Sequence, residues 1–177
     1  MLQGERIRLR ALEFSDGSQL RTWRNDPEIA DKFFSQDSIS SMRQGNWMEM
    51  IVNRSTGFEW MIELKDSSTV IGTLGIELID YRNSNAEYVR HIIDKNYRRL
   101  GYAYEAEMLL LEYSFNYLNL NKIYCKAFSD NLEVINLHYK TGFKEVGIWK
   151  EHIFRNGHYR DVLLLEVLRR EWLTKNS

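Results

Sequence analysis

The stretch Asp94-Lys95-Asn96-Tyr97-Arg98-Arg99-Leu100-Gly101-Tyr102-Ala103 carries the densest potential for chemistry in this chain. It follows residues 89–93, whose β-branched side chains suit a strand. It precedes Ala103, Ala106, Leu110, Tyr113 and Tyr117, which recur at steps of three and four as the stripe of a helix packed on a sheet. Gly101 allows positive φ and a close approach of ligand to main chain, while the first amides of the helix have no intrahelical acceptor. The helix dipole adds to those donors, and Arg98 and Arg99 raise the local positive potential, so a phosphate or pyrophosphate is the expected guest. Neither G-x-x-x-x-G-K-[ST] nor G-x-G-x-x-G occurs, which leaves both common nucleotide fingerprints unsupported.

The elements that must position this junction follow from periodicity. Ile7, Leu9 and Ala11 alternate with Arg6, Arg8 and Arg10, a strand with one wet face. Ser15 and Asp16 can cap a helix carrying Leu20 and Trp23 that Asn25-Asp26-Pro27 ends. A polar loop over 31–38, with Phe33 and Phe34, leads to a second helix opened by Ser40. Residues 58–64 and 70–79 read as a hairpin turning at 66–69, and 86–93 is the strand that delivers the junction. After the long helix comes a strand at 122–127. Ser129-Asp130-Asn131 then supplies cap chemistry for a helix ending near Thr141, with Gly142 as its stop. Residues 146–154 and 159–168 flank Asn156-Gly157, a strong hairpin-turn signal. The order predicts an α+β fold: a mixed, mainly antiparallel sheet of about seven strands with about four flanking helices, in one domain over 1–177.

Composition narrows the function. The formal charge is -1, with 28% charged and 44% hydrophobic residues, which argues against a general nucleic-acid binder. The lone Cys125 makes no internal disulfide, and no Cys/His set has zinc-ligand spacing, so no metal is expected. With no apolar run near the ~18 residues of a membrane span and no signal-like start, the expected location is the cytoplasm.

Arg98-x-x-Gly101-x-Ala103, placed between strand and helix, resembles the [Q/R]-x-x-G-x-[G/A] acetyl-CoA signature of the GNAT superfamily of N-acetyltransferases. Residues 131–143, Asn-Leu-Glu-Val-Ile-Asn-Leu-His-Tyr-Lys-Thr-Gly-Phe, are similar to that family's N-x-x-[A/S]-I-x-L-Y-x-K-x-G-F segment. The resemblance covers nearly the whole chain. Residues 23–28 and 156–161 resemble the branch that contains ribosomal-protein N-terminal and spermidine acetyltransferases. The resemblance implies that the fourth and fifth strands splay apart and that the pantetheine arm of acetyl-CoA pairs with backbone near Ile92 and Ile93. It places the pyrophosphate on amides of Arg98, Arg99, Leu100, Gly101, Tyr102 and Ala103. Asn131 and Asn136 match cofactor-contacting positions, and Lys140 is placed to meet the 3′-phosphate.

The implied activity is acetyl-CoA-dependent transfer of acetyl to a primary amine by direct attack in a ternary complex. Glu87 resembles the acidic residue of the corresponding strand and is the candidate base. His138 stands where the family has a tyrosine that protonates the leaving thiolate. Imidazolium, of pKa near ~6.5, would donate readily but is the minority form at neutral pH. Tyr139 or water are the alternatives, and His138 is preferred over Tyr139. The acceptor is a polyamine, a protein N-terminus or an amino sugar. Spermidine acetyltransferases carry paired glutamates after the first helix where this chain has Phe33-Phe34-Ser35-Gln36-Asp37, although Glu28, Asp31, Asp37, Glu77 and Glu87 could make an acidic mouth. The missing tyrosine also permits a catalytically weak acetyl-CoA-binding sensor or assembly module. Edge strands at the terminal hairpin favour a homodimer or higher homo-oligomer.

Overall fold

The structure, a computed structural model, describes residues 1–35 and 37–176, with backbone alone at Asn176. Gln36 of the polar loop lies outside the described residues. The strands are β1 (Leu2–Gln3), β2 (Ile7–Ala11), β3 (Phe58–Leu64), β4 (Val70–Asp80), β5 (Asn85–Ile93), β6 (Lys122–Phe128), β7 (Lys144–Arg155) and β8 (His158–Leu168). The helices are α1 (Gly17–Asn25), α2 (Pro27–Ala30), α3 (Ser41–Asn53), α4 (Tyr102–Glu112), α5 (Leu132–Thr141) and α6 (Arg169–Asn176). All eight strands form one sheet in the order β1-β2-β3-β4-β5-β6-β8-β7. Among the described residues only the β5–β6 pair is parallel, so the sheet is mixed and mainly antiparallel as expected.

Three elements exceed the sequence expectation. β1 is two residues long, too short for alternation to reveal it. α2 is a single turn in which Pro27 takes the first position and the Asp26 carboxylate accepts from the Glu28 amide at 2.9 Å, so the proline that ends one helix starts another. α6 has a polar sequence and is held by Trp172, which is buried beside Phe115. The stripe on α4 also needs correction. Ala106 and Leu110 are buried, but Tyr117 is 77% exposed. A π-helical turn over Tyr113–Tyr117 widens the helix and puts Phe115 in the interior instead.

Two local signals hold as read. Asn156 and Gly157 both have positive φ, 49° and 86°, the requirement of a two-residue turn between β7 and β8. Gly142, at φ 113°, stops α5.

The feature that makes room for a site lies between β5 and β6. Their pairing covers only Asn85↔Lys122, Ala86↔Ile123 and Glu87↔Tyr124. Beyond Glu87, β5 stays with β4 and β6 stays with β8, so the two part into a wedge, the splay that the resemblance implied. A bulge follows this separation. Val89 and Ile92 face Gly75 and Thr73, leaving Arg90 and His91 both opposite Leu74, and Arg90 takes φ 55°. An extra residue bends its strand and resets which face each later side chain takes. After the bulge, His91 and Ile93 turn toward α4. Arg90 and Ile92 turn toward α1 and α3, where Ile92 joins Leu20, Trp23 and Met48. The larger core fills the opposite side, between the sheet and α4. Among the described residues, no helix is long and apolar enough to cross a membrane.

Candidate active site

A cleft of about 560 Å³ occupies the wedge. His91, Ile92 and Ile93 of β5 form one side and Asn131, Val134, Asn136, Leu137 and Lys140 of α5 the other. Arg98, Arg99, Gly101, Ala103 and Tyr104 close one end, and Ile29, Lys32 and Phe33 cover it from α2 and the turn after it.

The closed end is built by capping. The Asp94 carboxylate accepts from the Asn96 amide at 3.0 Å and from the Trp23 indole at 2.9 Å, which ties the turn Lys95–Tyr97 to α1. Arg99 and Gly101 then adopt positive φ, 62° and 85°. Gly101 is the cap residue of α4 and brings no side-chain acceptor, so the first amides of the helix remain unspent toward the cleft. Arg98 is partly spent: its Nε donates to the Ile93 carbonyl at 3.2 Å and its Nη1 lies 3.4 Å from Glu28. Arg99 has no such tie and is the more available cation. Asn131 caps α5 in position only, because its side chain makes no capping bond, and it lines the cleft instead.

Of the residues assigned to cofactor, Ile92, Ile93, Arg98, Arg99, Gly101, Ala103, Asn131, Asn136 and Lys140 lie together on this wall. Leu100 and Tyr102 do not. The Leu100 side chain faces solvent and its carbonyl accepts from Arg6 at 2.8 Å, while the Tyr102 ring stacks under the Arg6 guanidinium at 4.6 Å. Only their backbone is placed for a ligand.

The candidate catalytic residues are not brought to the cleft. His138 is 3% exposed, and its Nδ1 lies 2.9 Å from Glu107 Oε1 behind the wall. Burial disfavours its charge, but the Glu107 carboxylate outweighs burial and raises the imidazole well above its ordinary value, so His138 is imidazolium. Burial likewise works against Glu107, yet His138 and His91 hold its carboxyl well below the usual carboxylate range. The expected minority form is therefore the resident one, but it has no route to a thiolate. Tyr139 is on the solvent side of α5. Glu87 is buried on the far face of β5, with Oε1 2.9 Å from Lys126. Cys125 is buried and its thiol is pushed up by that burial.

Of the five carboxylates expected to make an acidic mouth, Glu28 lines the cleft and the other four are not among its lining residues; each lies beside a cation. Glu28 meets Arg98 at 3.4 Å, Asp31 meets Arg160 at 3.7 Å, a cation that Asp130 holds more closely at 2.5 Å, and Asp37 meets Arg43 at 3.0 Å. Glu77 meets Arg90 at 2.7 Å and Arg54 at 3.0 Å, and Glu87 meets Lys126. Arg90 also binds Glu59 at 2.8 Å, whose carboxyl is raised by burial against the pull of Arg90.

Sequence reasoning missed His91, Glu107 and the α2 cover. Arg90-His91, a polar pair inside a β-branched run, was the available signal for the bulge. Nothing in the spacing of Glu107 marked it, since an acid on a helix is ordinarily a solvated one.

An uncapped helix start at the mouth of a wedge between parallel strands suits an extended ligand that ends in a phosphate group. Residues 6–144 match the Acetyltransferase (GNAT) domain, and the chain belongs to that family of enzymes, whose co-substrate is acetyl-CoA. It is 30% identical over 175 residues to the uncharacterized N-acetyltransferase p20 of Bacillus licheniformis, covering 97% of each chain. It is 27% identical to the spermidine N(1)-acetyltransferase of Vibrio cholerae, covering 97% of this chain and 98% of that one. The structure of a spermidine N-acetyltransferase from Vibrio cholerae in complex with CoA and spermine superposes with a TM-score of 0.89 at 27% identity, over 95% of this chain and 98% of that one.

Proposed function

We propose that this chain transfers the acetyl group of acetyl-CoA to a primary amine by direct attack within a ternary complex, with a polyamine of the spermidine class as the acceptor. The observation that carries the first part is the wedge between β5 and β6, which ends on the unspent amides of α4. A diphosphate would sit on those amides with Arg99 beside it, and Lys140, which lines the same cleft, would meet a further phosphate. The pantetheine arm would run inward along the backbone of Ile93 and Ile92, with Asn131 and Asn136 across from it. Holding amine and thioester in one cleft accounts for up to ~7 kcal/mol or more of the barrier, so the chemistry asks only modest acid and base help. Glu87 enters this reading as the candidate base on the far face of β5, beside Lys126, and Glu87→Gln tests that part.

Relatives support the polyamine acceptor. One observation favours a second reading. With Glu28 paired to Arg98, and Asp31, Asp37, Glu77 and Glu87 outside the cleft lining, the cleft offers little unbalanced negative charge to a polycation. An amine that carries its own anionic group, such as a nucleotide-linked amino sugar or a peptide N-terminus, would meet that neutral surface at less cost. A thiol-release screen across polyamines, amino sugars and peptides decides between them. Acetyl-CoA binding by calorimetry with no turnover on any amine would instead identify a sensor module.

We also infer a homo-oligomer. β7 is an edge strand whose Val146, Ile148, Trp149 and Phe154 are exposed, and a dodecameric structure of the Vibrio cholerae spermidine N-acetyltransferase is similar at a TM-score of 0.83.

A further inference from the structure

His91 is the residue of β5 that lines the cleft closest to where β5 and β6 separate. Its side chain is 7% exposed, and its Nε2 is buried with no hydrogen-bond partner among the described residues. Its Nδ1, by contrast, is well supplied: the Tyr88 hydroxyl lies 2.6 Å away and Glu107 Oε2 lies 3.6 Å away. A buried imidazole with one nitrogen anchored and the other bare is expensive unless a ligand completes it.

The anchored side sets which nitrogen carries the proton. Tyr88 is buried on β5, and burial first, then the nearby Glu107 charge, push its phenol well above its ordinary value. It therefore stays protonated and serves as a donor. Glu107 is already occupied on Oε1, by His138 Nδ1 at 2.9 Å and the Thr141 hydroxyl at 2.5 Å. Glu107 Oε2, 3.6 Å from Nδ1, is buried without a hydrogen-bond partner among the described residues, so the tautomer turns on which acceptor the Tyr88 O–H takes: donating to Nδ1, it leaves the ring proton of His91 on Nε2. His138 from α5 and Glu107 from α4 thus form a closed charge pair behind the wall that fixes the inner groups, and Cys125 from β6 completes the surroundings.

We propose that His91 is a catalytic residue whose Nε2–H donates a hydrogen bond to the acetyl thioester at the inner end of the cleft, while His138 and Glu107 are positioning residues behind it. The proposal rests on the acetyl-CoA reading above: a donor bound with its diphosphate at residues 98–103 and its arm along Ile93 and Ile92 brings its reactive end to His91. In the step served, the amine nitrogen forms the new C–N bond and the C–S bond breaks with its electron pair left on sulfur. The proton shed by nitrogen reaches sulfur through solvent. His91 keeps its own proton and stabilises the negative charge as it develops, which is the kind of help a preorganised donor gives most effectively in a dry site.

The test compares parent, His91→Phe and His91→Gln in steady-state thiol release, with CoA affinity by calorimetry and a thermal melt for each. Glutamine carries an N–H at nearly the reach of Nε2, whereas phenylalanine fills the space and donates nothing. The expected result is a fall in kcat of about 100-fold for His91→Phe with CoA affinity within about twofold of parent, and recovery of about tenfold or more in His91→Gln. A kcat for His91→Phe within about threefold of parent overturns the proposal, as does a glutamine variant no faster than phenylalanine or a loss that falls equally on CoA affinity. If the parent itself neither binds acetyl-CoA nor turns over any amine, the acetyltransferase reading falls with it. An active parent with an unimpaired phenylalanine variant removes only the role of His91.

Discussion

His138 Nδ1 and Glu107 Oε1 stand 2.9 Å apart in a pair sealed between α5 and α4, with the glutamate fully buried. Such a pair sets the pH window of the fold. The raised His138 contributes stability that is fully present below about pH 6.5 and is lost as pH rises through its folded value. The depressed Glu107 contributes stability that is present above about pH 4.5 and is lost as pH falls toward its folded value. Urea denaturation across pH should therefore show this contribution greatest between about 4.5 and 6.5. Removing one partner of a buried pair costs about 3 kcal/mol, and Glu107→Gln should lose that much and flatten the pH dependence. A variant as stable as parent at pH 6 would contradict the pairing.

Arg99 and Arg98 should separate in their effects. Arg99 lines the cleft without a hydrogen-bond or ion-pair partner among the described residues, whereas Arg98 also holds Ile93 and Glu28. Loss of a charge-assisted bond is worth about 1.5–3 kcal/mol, roughly 10- to 100-fold in affinity. Calorimetry with CoA should show that loss for Arg99→Ala with an unchanged melting temperature. Arg98→Ala should lower both affinity and melting temperature.

Arg90 holds a left-handed backbone and pairs with the buried Glu59 at 2.8 Å and with Glu77 at 2.7 Å. Arg90→Ala leaves Glu59 buried without its cation, a cost of about 3 kcal/mol by the same reasoning. Chemical denaturation reads this directly, and Glu59→Gln combined with Arg90→Ala should recover part of it.

Lys126 neutralises Glu87 at 2.9 Å. Lys126→Met should release that carboxylate toward the acceptor and lower the KM for spermidine by about threefold, the scale of a partly exposed pair. An amine carrying its own anion should show a KM that is unchanged or higher. The opposite ordering would point to the anionic acceptor.

The edge of β7 exposes Trp149 at 41% and Phe154 at 62%. If this edge joins copies, Trp149→Lys with Phe154→Asp should reduce the assembly to monomer in size-exclusion chromatography with light scattering. A particle mass unaffected by both changes would place the interface elsewhere.

Local signals in the chain settled much of this protein. Alternation marked β2, the turn at 66–69 marked the β3–β4 hairpin, and β-branched residues marked the end of β5. Asn156-Gly157 set the terminal hairpin, Gly142 closed α5, and the Arg98-x-x-Gly101-x-Ala103 spacing located the uncapped helix start. These were legible because each depends on a few neighbouring residues whose backbone preferences travel with the sequence. Tertiary structure alone decided the rest. A bulge at Arg90 turned His91 to the cleft, a π-helical turn swung Tyr117 outward, and partners 31 residues away in the chain locked His138 to Glu107 behind the wall. Glu28, Asp31, Glu77 and Glu87 met cations from distant segments in the same way, whereas Asp37 met Arg43 six residues on. Which face a side chain takes after a bulge, and which charge it finds there, depends on packing between distant segments, and no local periodicity encodes that.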